Sequence, residues 1–121
     1  MRFFIASLLA LFGLAFGASA DQEASTSLAT NDVKPFLEHL NSRLHLGLDV
    51  VTLSRFARET GLKDERTMPI TAQFKGTSYS VSFHVFTDDI NDSEIYFVTS
   101  SKALSDAILT EMGAFAEAHG M

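Results

Sequence analysis

The sequence contains no cysteine, and this absence excludes several kinds of chemistry. The chain cannot form disulfides, cannot carry a lipid at a lipobox cysteine and cannot hold a metal through thiolates. Small secreted domains of eukaryotes commonly rely on disulfides. An exported chain without cysteine is therefore more typical of a bacterial periplasm.

Basic residues are also few. The chain has 9 Lys and Arg against 15 Asp and Glu, which gives a formal net charge of −6 when histidines are neutral. Nucleic acids and anionic membranes attract basic surfaces. The charge therefore argues against either of them as a partner.

No apolar run is long enough to span a membrane comfortably. The longest extends from Phe3 to Phe16, whereas a bilayer core requires about 20 apolar residues. Arg2 precedes this run, and Ala18-Ser19-Ala20 follows it with small residues at the positions that signal peptidase inspects. This arrangement predicts that residues 1–20 form a cleavable signal peptide rather than a membrane anchor.

Cleavage after Ala20 would leave Asp21 at the mature N-terminus. We therefore expect a periplasmic or extracellular protein that is not inserted in a membrane after cleavage. Residues 21–31 are polar and show no apolar period, so we expect a flexible leader. Residues 32–121 then form one domain of ordinary size.

Apolar residues at helical spacing predict two helices that form a hairpin after the leader. Gly47 is expected to end the first helix, and Asp49 is expected to cap the second. A closing helix is predicted from about Lys102 to Ala118, with Ser100 or Ser101 as its cap.

Between these helices the apolar period changes to two residues, which is typical of strands. If Gly76-Thr77 is a two-residue turn, Phe74 pairs with Tyr79, and the large apolar residues of both strands share one face. A third strand is predicted over Glu94–Thr99, beside the second. The order α-α-β-β-β-α predicts an α+β domain with a three-stranded antiparallel sheet packed against helices.

No motif in the sequence requires a particular catalytic chemistry. Ser82, His84 and Asp88 supply the residue types of a serine triad, but a nucleophile elbow and a glycine-rich oxyanion loop are missing. We therefore predict no catalytic residue.

Metal and cofactor motifs are also missing. None of the four histidines has a histidine four residues away along a helix. The acidic loop Asp88–Ser93 lacks the glycine and the bidentate glutamate of an EF-hand. The sequence therefore predicts neither a metal site nor a cofactor.

Glu111 is unusual because it lies near the edge of the apolar stripe of the closing helix. An unpaired buried carboxylate is costly, so we expect this side chain to reach water.

The third strand carries apolar groups on both sides, with Tyr96 and Val98 on one and Ile95 and Phe97 on the other. Only one pair can join the core, and the other shares the second face of the sheet with Phe86. An apolar patch among polar groups marks either a binding surface or packing beneath a helix. The candidate binding residues are Phe86, Tyr96, Phe97 and His84.

These observations rank three hypotheses. The first is a non-enzymatic exported binding protein, such as an inhibitor or immunity-type module, whose partner is another exported protein. The second is a periplasmic protein that binds a small ligand or a metal. The third is a hydrolase of unknown type.

Overall fold

The computed structural model describes residues 21–120, and the predicted signal peptide lies outside these residues. A short 3₁₀ turn over Thr30–Asp32 joins the first strand to the first helix. The strands and helices follow in the order β1 (Gln22–Ala29), α1 (Val33–Leu44), α2 (Val50–Glu59), β2 (Glu65–Phe74), β3 (Thr77–Asp89), β4 (Asp92–Thr99) and α3 (Lys102–Ala118).

The strands form one antiparallel sheet in the order β1-β4-β3-β2. The predicted α+β class is confirmed, but the predicted count of three strands is wrong because β1 adds a fourth. β1 lies within the segment predicted to be a flexible leader. Ala24 and Leu28 point into the core there, opposite Phe97 and Ser93 of β4. Because these two buried apolar residues stand among Ser, Thr and Gln, the sequence of β1 shows no apolar period.

The β2–β3 hairpin turns one residue earlier than predicted. Its turn residues are Lys75 and Gly76, both at positive φ, as a type I′ turn requires. Phe74 therefore pairs with Thr77 rather than with Tyr79, and the register differs from the prediction by two residues. A shift of two preserves the face of every side chain, so the predicted division between the two faces is unaffected.

The helices pack on a single face of this sheet. The buried apolar side chains of α1, α2 and α3 belong to one hydrophobic cluster with the inward residues of the strands. At its centre, the ring centroid of Phe83 lies 5.3 Å from that of Phe97 and 6.1 Å from that of Phe56. The predicted position of the third strand beside β3 is confirmed.

Capping side chains explain where α2 and α3 begin. Asp49 caps α2 by accepting a hydrogen bond from the Thr52 amide, and Ser101 caps α3 in the same way through Leu104. α1 ends earlier than predicted, because His45 rather than Gly47 takes the first left-handed conformation after it. No helix within residues 21–120 is long and apolar enough to cross a membrane.

Candidate interaction surface

The face of the sheet opposite the three helices is called the outer face here. Side chains from all four strands line up across it, because the residues that pair between antiparallel strands point to the same side. The strand register gives three rows: Glu65, Phe86, Glu94 and Ser27; Thr67, His84, Tyr96 and Ser25; and Pro69, Ser82, Val98 and Glu23.

Three of the four predicted binding residues meet on this face. The rings of His84 and Tyr96 pack edge to face with their centroids 6.3 Å apart. The Tyr96 hydroxyl donates a hydrogen bond of 2.8 Å to Glu94 Oε1. Phe86 lies in the neighbouring row, in register with Glu94 on one side and Glu65 on the other. Aromatic and carboxylate groups are therefore interleaved across the central strands.

The fourth predicted residue, Phe97, is not on this face. It is 1% exposed and lies in the core with Ile95, so of the two alternatives on β4 it is Tyr96, not Phe97, that shares a face with Phe86. The physical reason is that β3 and β4 bury the row containing Phe83 and Phe97 beneath the helices. Tyr96 therefore takes the outer position, where it is 6% exposed.

A hydroxyl-rich pocket of about 420 Å³ adjoins the row of Val98 and Ser82. Its wall includes Thr71, Ser80, Ser100 and Asp21. This volume lies within the range of small-molecule sites, whereas its lining is more polar than such sites usually are. The predictions did not include it, because Asp21 belongs to the segment expected to be a leader.

The outer face is acidic. Glu23, Glu65 and Glu94 all point to it, as the register shows. Burial raises the pKa of Glu23, because removing a carboxylate from water disfavours its charged form. A partner with basic groups would relieve this electrostatic cost.

The geometry around His84 differs from that of a catalytic triad. Thr67 Oγ1 lies 3.1 Å from His84 Nδ1 and 3.2 Å from Nε2. A ring nitrogen forms its hydrogen bond in the plane of the ring, pointing outward. An oxygen equally close to both nitrogens cannot lie in that direction for either of them. Glu65 Oε2 is 4.0 Å from Nδ1, too far for a hydrogen bond that would orient the ring. Asp88, the acid considered for a triad, forms an ion pair with Lys63.

The acidic loop is a tight hairpin. Asp89 pairs with Asp92 across Ile90 and Asn91, and the side chain of Ile90 is 74% exposed. Within the part of the chain that the structure describes, no group of three or more His, Cys, Asp or Glu residues is placed to hold a metal ion.

Glu111 is buried, contrary to the expectation that it reaches water. It is 9% exposed, and its Oε1 lies 2.9 Å from His39 Nε2 and 3.5 Å from Arg43 Nε. Phe115 packs against the His39 ring from the next turn of α3, with their centroids 5.5 Å apart. These contacts join α3 to α1 through a carboxylate with two basic neighbours.

Known proteins offer no guide to this arrangement, since no protein-family model, curated protein or solved structure matches the chain.

Proposed function

We propose that this chain is a small exported, non-enzymatic binding protein that docks another exported protein on its outer face. The observation that supports this proposal is the cluster of Phe86, His84 and Tyr96 on the side of the sheet away from the helices. Large aromatic residues anchor protein interfaces more often than other residue types do. The proposed class includes inhibitors and immunity-type modules.

The charge of the outer face indicates what the partner presents. Glu23, Glu65 and Glu94 surround the aromatic cluster, and the whole chain carries a net charge of −6. We therefore propose a partner whose contact surface is basic around an apolar side chain. Electrostatic complementarity of this kind accelerates association and is weakened by salt.

Export is part of the same proposal and is supported by Arg2, the apolar run and Ala18-Ser19-Ala20. Intact-mass measurement of the exported protein should give a chain that begins at Asp21. A mature protein that still carries Met1 would contradict this part of the proposal.

The binding part is tested with Phe86→Ala and Leu109→Ala as a matched pair. Leu109 is 43% exposed on α3, on the opposite layer of the molecule. Immobilised wild-type protein and each variant should be compared for capture of a partner from the exported fraction, at low and high salt. Phe86→Ala should weaken capture by at least about fivefold, which corresponds to a hot spot above 1 kcal/mol.

Leu109→Ala should leave that capture unchanged, and high salt should weaken it for the wild type. Equal capture by wild type and Phe86→Ala would contradict docking on the outer face.

The alternative is a periplasmic protein that binds a small ligand, and the pocket beside Val98 favours it. Its hydroxyl groups and the Asp21 carboxylate would suit a polar, hydrogen-bonding molecule. Native mass spectrometry of protein purified from the periplasm distinguishes the two functions, since a bound small molecule and a bound protein differ greatly in mass. Elemental analysis of the same sample tests the metal-binding form of this alternative.

A further inference from the structure

A second pocket, of about 370 Å³, lies where the end of α1 meets the β2–β3 turn. Three basic residues line it: Arg43, His45 and Lys75. Arg43 Nε also lies 3.5 Å from Glu111 Oε1. Two apolar residues, Leu44 and Phe74, form part of its wall, and the Lys75 ammonium lies 5.3 Å from the centre of the Phe74 ring. The pocket therefore combines positive charge with an apolar surface, in a chain that is acidic overall.

Two hydrogen-bonded links connect the parts that form this pocket. The Gln73 amide donates to the Leu46 carbonyl at 2.8 Å, which ties the edge strand β2 to the loop after α1. The Asn41 side chain donates to the Leu48 carbonyl and accepts from the Leu48 amide. The loop that carries His45 is thus attached on both sides and held against the hairpin that carries Lys75.

The backbone at two of these basic residues favours other residue types. His45 has φ 55° in the left-handed position after α1, and Lys75 has φ 50° in the first position of the hairpin turn. Glycine or asparagine is the usual choice at both positions. Histidine is tolerated at positive φ better than most residues, but a lysine in the turn costs stability. Such a local conflict is expected where function has determined the residue.

Lys63 is the remaining non-glycine residue with positive φ among residues 21–120, and it has a different explanation. Its ammonium lies 2.8 Å from Asp88 Oδ1. Within the described part of the chain, neither His45 nor Lys75 forms such an ion pair with a carboxylate. The helix dipole favours Arg43 and His45 near the end of α1, but it does not account for Lys75 on the hairpin.

We propose that this pocket binds a small organic anion, whose carboxylate or phosphate group meets Arg43, His45 and Lys75 while its apolar body packs on Phe74 and Leu44. Guanidinium and ammonium groups are the natural partners of such anions. This site is separate from the protein-docking surface on the outer face, and its test does not depend on finding a protein partner.

The test uses benzoate as the probe, inorganic phosphate as an anion without an apolar body, and benzamide as a neutral body without the charge. Amide chemical shifts of the wild-type chain should be titrated with each compound. Benzoate should bind saturably and shift residues 43–46 and 73–76. Benzamide should bind at least about tenfold more weakly, because it lacks the charge.

Lys75→Asn separates a binding role from a structural one, because asparagine suits the turn. This variant should bind benzoate at least about fivefold more weakly, through loss of one charge-assisted contact, with a Tm equal to or above that of the wild type. Lys63→Asn is the matched control, a lysine replaced at another left-handed position, and it should bind benzoate as the wild type does.

Three results would overturn the proposal: no saturable benzoate binding to the wild type, equal benzoate affinity in Lys75→Asn, or equal weakening in Lys63→Asn. The third would show a general charge effect rather than a site. If phosphate binds as tightly as benzoate, the apolar part of the proposal is wrong.

Discussion

At the scale of single residues, neighbouring positions of β3 differ completely in their surroundings. Phe83 is fully buried between Phe97 and Phe56, whereas Ser82 points to the outer face. Phe83→Ala should lower the free energy of unfolding by about 3–5 kcal/mol, because a buried ring is lost. Ser82→Ala should change it by less than about 0.5 kcal/mol. Denaturant melts measure both, and equal losses would show that the faces are wrongly assigned.

The buried carboxylate of Glu111 is expected to stabilise the fold. Glu111→Gln keeps the shape of the side chain but removes its charge, so the contacts with His39 and Arg43 weaken. The free energy of unfolding should fall by about 1–3 kcal/mol. Glu117→Gln, at an exposed position of the same helix, is the control and should have little effect. An equally small loss of unfolding free energy in both variants would show that the Glu111 carboxylate does not stabilise the fold.

Glu23 makes stability depend on pH. Because its pKa is raised by burial, the folded state holds the proton more tightly than the unfolded chain does. The free energy of unfolding therefore falls as pH rises from the ordinary glutamate pKa through the raised one. Glu23→Gln should be more stable than the wild type at pH 7, and the difference should close below about pH 4, where glutamate is protonated in both states.

The exposed Glu38→Gln provides the control for this comparison. It should match the wild type closely at both pH values. A Glu23→Gln variant that gains no stability at pH 7 would contradict the assigned cost of burying this carboxylate.

The sequence predicted the face of each β3 residue because a strand has a strict period of two. It did not predict the environment of Glu111. The position of that residue on a helical stripe says nothing of which side chains the neighbouring helix presents. His39 and Arg43 lie about 70 positions away in sequence, with His39 72 residues from Glu111, and only the packing of α1 on α3 brings them together.

At the scale of elements, two glycines test the assigned backbone conformations. Gly76 has φ +83° in the β2–β3 turn, so Gly76→Ala should destabilise the fold by about 1–2 kcal/mol. Gly113 lies within α3, and a Cβ added there meets nothing within 4 Å. Gly113→Ala should instead stabilise the fold by about 0.5–1 kcal/mol. Denaturant melts should show opposite signs, and a shared sign would contradict one assignment.

The pairing of β1 with β4 can also be measured directly. Its register with β4 places Ala24 opposite Phe97 and Leu28 opposite Ser93, and the Thr30 and Ser93 hydroxyls are 2.9 Å apart at its end. Amides of β1 that bond to β4 should therefore exchange with solvent far more slowly than those of a free segment. Hydrogen exchange measured by NMR checks this. Unprotected amides throughout residues 22–29 would contradict the strand and support the predicted flexible leader.

Helices were easier to predict than strand pairing. The closing helix was predicted at the bounds that α3 has, because its apolar stripe and the cap Ser101 are local signals. The hairpin register was wrong by two residues because positive φ at Lys75 cannot be inferred from a lysine. β1 was missed because its buried apolar residues are few, and its partner β4 lies about 70 residues away.

At the scale of the whole molecule, residues 21–120 form a sheet with their three helices on one side. The sequence left this open, since three helices could have covered both faces. In the structure the helices meet the row of Phe83 and Phe97, and the row of His84 and Tyr96 lies on the other side. The edge strand β2 is protected in part by Pro69, which has no amide to offer another strand.

Photocrosslinking within the native cell can show whether a partner docks on the outer face. A photoreactive phenylalanine derivative is placed at position 86, and in a second protein at position 109 on α3. A crosslinked protein adduct is expected from position 86 and none from position 109. An adduct from position 109 alone, or from neither position, would contradict docking on the outer face.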